Sequence, residues 1–339
     1  MAGETLRSSL PGHPLELGPR AVLIPVKAFA EAKNRLHLAL DGRQRADLAR
    51  AMAHRVVSAA HPLPVAVVCD DTDVADWARE EGALVVWEPG RGLNGAVEAG
   101  VAHLRSIGVV QVTVAHGDLP RATDLAEVGD APGITLVPDR YGNGTNVIAL
   151  PSNAGFQFSY GPGSFSRHLL EAEKFFKRSC SDNPKQQRAY YNLGVLEWER
   201  NDLGAAISYL EEAARQEIWE ETVIEARTGD VYYNLACSYA RLAASQGSFK
   251  SDSTIIKQCL EALHKPAQIG LVNKDTVDGD YDKQSGDFFP LINSGEVGVA
   301  DELKALRPRL SRNRNITPIA RAPKSKIATL AEAFKNLFN

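Results

Sequence analysis

The stretch Ala21-Val-Leu-Ile-Pro-Val-Lys-Ala-Phe-Ala-Glu-Ala-Lys-Asn-Arg-Leu36 decides how the first half of this chain is read. Ala21–Val26 is an unbroken apolar run rich in branched side chains, the pattern of a strand covered on both faces. The residues that follow place three cations, Lys27, Lys33 and Arg35, within nine positions. A loop behind a first strand that combines backbone N–H groups with Lys and Arg suits a triphosphate. A solvated basic loop has the same composition. What sets this one apart is that Lys27 and Lys33 are the only lysines among residues 1–168, against 13 arginines.

Working outward, further short apolar runs read as strands: Pro64–Cys69, Leu84–Trp87, Val109–Ala115, Ile134–Val137 and Thr145–Leu150. They alternate with helical patterns over Arg43–Ala59, Val74–Glu81, Asn94–Ser106 and Thr123–Glu127. This alternation predicts an α/β domain with a mostly parallel sheet and helices on both faces. Ligands of such sheets collect at the carboxyl ends of the strands. The chemistry is therefore expected just after Val26, near Asn94, around Asp118 and after Val137.

The whole chain has 339 residues, 44% hydrophobic and 24% charged, which excludes a disordered or collagen-like polypeptide and leaves room for two domains. A net charge of −4 gives no global case for nucleic-acid or membrane-surface binding. No apolar run approaches the roughly 20 residues of a membrane span, and the start of the chain does not read as a secretory signal. The cysteines Cys69, Cys180, Cys237 and Cys259 show neither metal spacing nor disulfide density and read as small core residues. Together these features predict a protein of the reduced cytoplasm.

A discontinuity lies mid-chain. Residues 169–339 carry 12 lysines beside 11 arginines, unlike the lysine-poor first half. The aromatic pairs Phe175-Phe176, Tyr190-Tyr191 and Tyr232-Tyr233 also fall there. This places a boundary near His168–Ala172. The second half repeats: Ala189-Tyr-Tyr-Asn-Leu-Gly194 is echoed by Val231-Tyr-Tyr-Asn-Leu-Ala236. Ala206, Leu210 and Ala213 follow the first copy, and Ile255, Cys259 and Ala262 follow the second. A large residue, then Leu-Gly or Leu-Ala, then small residues on the next helix is the tetratricopeptide (TPR) spacing. The copies lie 42 residues apart rather than the usual 34, and Gln216–Gly229 is expected to absorb the excess as a connection. In Leu169–Pro184, Ala172, Phe176 and Pro184 hold second-helix positions in register with the next repeat, as a half-repeat.

Two further constellations carry chemistry. In Val114-Ala-His-Gly-Asp-Leu-Pro120 a carboxylate ends an apolar strand, which fits a hard-cation site; a turn or helix-cap aspartate is the competing reading. His116 beside it reads as a packed residue rather than a ligand. The loops Pro138-Asp-Arg-Tyr-Gly-Asn-Gly-Thr-Asn-Val147 and Phe158-Ser-Tyr-Gly-Pro-Gly-Ser-Phe-Ser-Arg-His168 combine glycines with the hydroxyls of Thr145 and Ser164. Glycines allow close backbone approach, and the hydroxyls can donate to a small phosphorylated acid.

These motifs, in this order, give residues 21–168 a specific resemblance. The I-P-V-K…A-K-x-R-L opening, L-N-x-A at 93–96, G-D-L-P at 117–120, D-R-x-G-x-G-T at 139–145 and F-x-x-G-P-x-S…R-H at 158–168 resemble the phosphoenolpyruvate and 2-phospho-L-lactate guanylyltransferases of coenzyme F-420 biosynthesis. The resemblance implies a nucleotidyltransferase-like α/β fold, followed here by an all-α, TPR-like domain. It implies that Lys27, Lys33 and Arg35 hold GTP phosphates, that Asn94 lies near the guanine and that Asp118 binds Mg²⁺. It further implies that Thr145, Gly161 and Ser164 contact phosphoenolpyruvate or 2-phospho-L-lactate. The implied reaction is attack of the acid's phosphate on the α-phosphorus of GTP with release of pyrophosphate, without a protein nucleophile.

The resemblance has one departure. The family continues with a D-x-D-T-P-x-D-L segment carrying further metal-binding carboxylates, and this chain has none. Asp278, Asp280 and Asp282 lie within Asp275–Asp287, which reads as a solvated acidic loop lacking the pattern of a calcium loop. The organisation expected is an N-terminal extension over 1–20, a guanylyltransferase-like domain over 21–168, TPR-like repeats over 169–306 and a basic tail over 307–339. In that tail Ile327, Leu330, Ala331, Phe334, Leu337 and Phe338 have the spacing of an amphipathic end helix. The competing reading of the whole is a catalytically impaired or chimeric chain that acts through its repeats on a peptide or protein partner.

Overall fold

The computed structural model describes residues 17–130, 133–216, 221–269 and 274–310. The expected end helix at 327–338 and most of the N-terminal extension lie outside these residues. The chain divides into two compact units, one of residues 1–134 and 146–160, the other of residues 135–145 and 161–339.

The first unit alternates strands and helices: β1 (Arg20–Pro25), α1 (Gly42–Ala59), β2 (Val65–Cys69), α2 (Thr72–Glu80), β3 (Leu84–Trp87), α3 (Gly92–Ser106) and β4 (Gln111–Ala115). β5 (Thr135–Pro138) follows in sequence and belongs to the second unit, and β6 (Thr145–Pro151) returns to the first from Asn146 onward. The order across the first unit's strands is β3-β2-β1-β4-β6. β1, β2, β3 and β4 pair in parallel, and β6 joins β4 antiparallel. Leu23 sits opposite Ala66 on one side and Val114 on the other. β1 and β4 are buried almost throughout, as their continuous apolar runs require.

Local chemistry sets the helix starts. Asp41 Oδ1 accepts the Gln44 N–H at 2.8 Å while Gln44 Oε1 accepts the Asp41 N–H at 2.9 Å, a reciprocal cap on α1. Asp71 caps α2 through the Val74 N–H at 3.0 Å. α3 lies tightly on β1: a Cβ at Gly100 would stand 2.7 Å from Leu23 Cδ2, so the helix that carries Asn94 approaches the sheet as only glycine allows.

Thr123–Glu127 is not the expected helix but a series of turns. Asp124 and Gly129 take positive φ values of 50° and 104°, which break a right-handed helix. The Leu125 N–H is spent instead on the carbonyl of Ala59 at 2.9 Å.

Beyond β5 and its loop the second unit is helical: α4 (Ser164–Asp182), α5 (Gln187–Glu199), α6 (Leu203–Arg215), α7 (Glu221–Gln246), α8 (Thr254–Ile269), α9 (Lys274–Asp282), α10 (Phe289–Ile292) and α11 (Val297–Leu310). α4 runs unbroken across the compositional seam at 168–172. Its buried residues Ser164, His168, Ala172 and Phe176 fall four apart, one stripe that is polar in its first turns and apolar afterwards. α5 packs on α6 and α7 on α8. A Cβ at Gly194 would stand 2.6 Å from Leu210 Cγ, and Cys259 Sγ lies 3.4 Å from the Ala236 carbonyl. Small residues therefore set the closeness of both hairpins. The expected connection over Gln216–Gly229 is only partly one: α7 already begins at Glu221, so the excess residues lengthen a helix.

Asp275–Asp287 is not a solvated loop. α9 occupies its first part, and Asp280 and Asp287 are both buried at 3% exposure. The Tyr233 hydroxyl donates to Asp280 Oδ2 at 2.8 Å, and Arg241 Nε donates to Asp287 Oδ1 at 2.5 Å. Asp278 and Asp282 both pair with Arg307 of α11, so the start of the expected basic tail is part of the helical unit. Burying a carboxylate is costly unless it is paired, and these partners supply the pairing.

Candidate functional site

Strand order reverses between β1 and β4: from β1 the chain steps to β2 on one side and later returns to β4 on the other. In open parallel sheets such a reversal opens a crevice at the carboxyl ends of the strands. The two loops that leave these ends are the cationic segment after Pro25 and His116–Pro120 after Ala115. They meet through Lys33, whose Nζ lies 2.8 Å from Asp118 Oδ2. Lys33 reaches this position from a left-handed backbone conformation, φ 55°, at the start of a short 3-10 turn over Asn34–Leu36.

Gly117 makes the meeting sterically feasible. A Cβ there would stand 3.2 Å from the Pro25 carbonyl oxygen and 3.2 Å from Val26 Cγ2, so a side chain would push the ends of β4 and β1 apart. The Asp118 side chain is 59% exposed and the Lys33 side chain 23%. Partial burial opposes ionisation of Asp118, but the hydrogen bond and positive charge of Lys33 outweigh it and hold the carboxyl below its usual range. Lys27 and Arg35 are exposed.

Asn94 stands in the first turn of α3, half-buried, and its Oδ1 accepts the Tyr160 N–H at 2.8 Å. That bond fixes the amide orientation and leaves both N–H groups of the side chain available as donors. Tyr160 in turn stacks edge-on with His116, ring centroids 4.8 Å apart, and the His116 backbone N–H donates to the Asn146 carbonyl at 3.1 Å. His116 is thus a packed residue, as its sequence context suggests.

In the second unit the two glycine-rich loops form a tight polar assembly. Asp139 Oδ1 accepts the N–H groups of Tyr141 and Asn143 at 2.9 and 3.0 Å, and its own N–H donates to the Gly144 carbonyl at 2.8 Å. A Cβ at Gly144 would stand 2.8 Å from Asp139 Oδ2, which accounts for glycine there. Thr145 and Ser164 are brought together and are buried, at 3% and 1% exposure. The Thr145 N–H donates to Ser164 Oγ at 3.0 Å, and the two hydroxyl oxygens, Ser164 Oγ and Thr145 Oγ1, lie 3.4 Å apart, within reach of one hydrogen bond. Gly161 is exposed, with φ 117°, just ahead of α4. Sequence reasoning passed over His168, which is fully buried with Nδ1 2.9 Å from Thr145 Oγ1. Its signal lay in the R-H element, four residues past Ser164 and hence on the same helical face.

Among the described residues, the side chains of metal-binding type that lie within mutual reach are Cys237, Asp280 and Asp287. Their carboxylates already take Tyr233 and Arg241 as donors, and the Arg241 guanidinium stacks 3.7 Å from the Trp198 ring centroid. This group is a structural knot of the helical unit. The four cysteines are free thiols, and burial pushes the Cys259 thiol up to about 12.

The first unit is thus an α/β domain with a cation–carboxylate pair at its strand reversal, the arrangement of an enzyme that handles nucleotide phosphates. The family model described as "Guanylyl transferase CofC like" matches residues 20–180, through nearly all of α4. A phosphoenolpyruvate guanylyltransferase of Rubrobacter xylanophilus is 36% identical over 159 residues, covering 44% of this chain and 78% of that protein. One from Roseiflexus castenholzii is 31% identical, covering 45% and 73%. A 2-phospho-L-lactate guanylyltransferase of Methanocaldococcus jannaschii is 28% identical, covering 45% and 69%. The chain belongs to the CofC-like guanylyltransferase family, a family of nucleotidyltransferases, through its first half.

Proposed function

We propose that this protein transfers the guanylyl group of GTP to phosphoenolpyruvate, with 2-phospho-L-lactate as the alternative acceptor, releasing pyrophosphate as a step of coenzyme F-420 biosynthesis in the cytoplasm. The observation that carries this reading is the Lys33–Asp118 pair at the strand reversal. Lys27, Lys33 and Arg35 supply charge for a triphosphate arriving over the end of β1. Asn94, with its carbonyl engaged by Tyr160, presents its amide N–H groups, which match the O6 and N7 acceptors of guanine.

Asp118 fits Mg²⁺ as one exposed, ionised carboxylate, and such a site completes its coordination from substrate phosphates and water. Asp118 would hold the ion, which when bound would supply neutralisation of phosphate charge. The Thr145–Ser164 pair and the backbone at Gly161 hold the acceptor acid. Positioning and charge neutralisation provide the rate, and no covalent intermediate on the protein is needed. Phosphoenolpyruvate is favoured because the relatives bearing that name are the more similar ones.

The helical hairpins are read as TPR-like repeats that add a surface for a peptide or protein partner. Their tight, small-residue packing supports this, as does a cleft of about 790 Å³ bordered by Arg200, Asp202, Ser245, Gln284 and Pro290. Pyrophosphate release by the full chain from GTP, measured with each acid and with magnesium, tests the enzyme reading. Release above a magnesium-free blank is expected. Release no greater than the blank with both acids leaves the repeats as the working part.

A further inference from the structure

We infer that His168 sets the hydrogen-bond polarity of the Thr145–Ser164 pair and so acts as a positioning residue for the phosphorylated acid. This rests on the acceptor-binding role proposed for those two hydroxyls. The three side chains form one buried chain: His168 Nδ1 to Thr145 Oγ1 at 2.9 Å, Thr145 Oγ1 to Ser164 Oγ at 3.4 Å, with Ser164 Oγ also taking the Thr145 N–H at 3.0 Å. All three residues are at least nine-tenths buried, so the order of protons along the chain is set by the protein rather than by bulk water.

A hydroxyl has one proton to give. With a bare Nδ1, Thr145 donates to His168 and Ser164 donates to Thr145. Both protons then point inward, and the pair offers only lone pairs, which repel a phosphate or carboxylate. With a proton on Nδ1, the imidazole donates to Thr145 Oγ1. The Thr145 proton can then turn to Ser164 Oγ, and the Ser164 hydroxyl is released to donate to an anion. Only the second order makes the pair an anion-binding element. His168 therefore carries its proton on Nδ1.

The position of His168 supports a role specific to this loop. It occupies the turn of α4 immediately after Ser164, on the one buried stripe of that helix. Below it the stripe continues as Ala172 and Phe176, which serve packing. Gly161 and Gly163, both at positive φ, shape the backbone that leads into Ser164, and the Phe165 N–H donates to the Asn143 carbonyl at 3.1 Å. Full burial of an imidazole is costly unless its ring nitrogens are hydrogen-bonded, and Nδ1 meets that need at Thr145 Oγ1.

The test combines kinetics with a spectroscopic readout on the full chain. In His168→Asn the amide nitrogen replaces Nδ1 as donor, whereas His168→Leu keeps volume and removes the donor. The Asn variant should hold the KM for phosphoenolpyruvate within about threefold, and the Leu variant should raise it by about tenfold or more with the KM for GTP unchanged. Equal effects of the two variants, or a rise in both KM values together, would overturn the inference. Long-range ¹H–¹⁵N correlation of the wild-type imidazole reads the tautomer without any variant, so a Leu variant that fails to fold does not remove the test. An Nδ1-protonated ring is expected, and a ring protonated on Nε2 alone would overturn it. A wild-type chain that shows this tautomer but no guanylyl transfer would count against the proposed reaction, not against the polarity of the pair.

Discussion

Two sets of carboxylates in this chain live under opposite conditions. Asp118 in the first unit is largely exposed and held by one lysine from a neighbouring loop. Asp280 and Asp287 in the second unit are almost fully buried and bound by a tyrosine and an arginine from α7. The first can exchange partners when a charged ligand arrives, because water already reaches it. The second pair cannot lose a partner without stranding a charge in a poorly polar interior. Charge density in the sequence does not separate the two cases, since the acidic run at 275–287 is the denser. What separates them is whether water and a ligand can still reach the charge once the protein has paired it.

Substitutions that remove one member of each set sharpen this contrast. Asp118→Asn should lower magnesium-dependent pyrophosphate release by about a hundredfold or more while lowering the melting temperature only slightly, because the ion pair it removes is largely exposed and the carboxamide keeps the shape of the acid. Tyr233→Phe should do the reverse. It removes the donor to buried Asp280 and should cost about 1.5–3 kcal/mol in chemical denaturation, with the KM values for GTP and the acid acceptor unaltered. A Tyr233→Phe chain of undiminished stability would show that Asp280 is held by its other neighbours.

The smallest effect concerns protonation. Lys33 holds the Asp118 carboxyl below its usual range against the opposing influence of burial. The stabilisation from this pair is therefore complete above the ordinary carboxylate pKa and disappears as pH falls through the lowered folded value. In Lys33→Met the carboxyl should titrate at higher pH, so the acid limb of the turnover profile should move upward. A limb that stays in place would detach it from Asp118.

Much of the α/β half was legible because its strands are unbroken branched runs, and each of the six lies within two residues of its expected bounds at either end. The cation loop and Asp118 were legible for a related reason. Residues at strand ends in a doubly wound sheet have few roles, and lysine is scarce in this half. Thr123–Glu127 misled because Leu125 and Val128 are spaced like a buried helical face, while the left-handed conformation of Asp124 has no plain local signature. The acidic segment misled for a longer-range reason: Tyr233 and Arg241 stand about 46 residues from the carboxylates they bind. His168 was hidden in the same way, since nothing local announces which side of a histidine meets a threonine 23 residues earlier.

The unbroken α4 has a mechanical consequence. Its buried stripe passes from Ser164 and His168 to Ala172 and Phe176 with no loop between them. The angular phase of the helix sets which of its side chains face β5 and which face α5. One residue inserted between His168 and Ala172 would turn everything downstream by about 100° and swing Phe176 out of its seat. Four would nearly restore the phase while lengthening the rod by about 6 Å. The tolerance of this junction to added length is thus periodic, and it follows the pitch of a single helix.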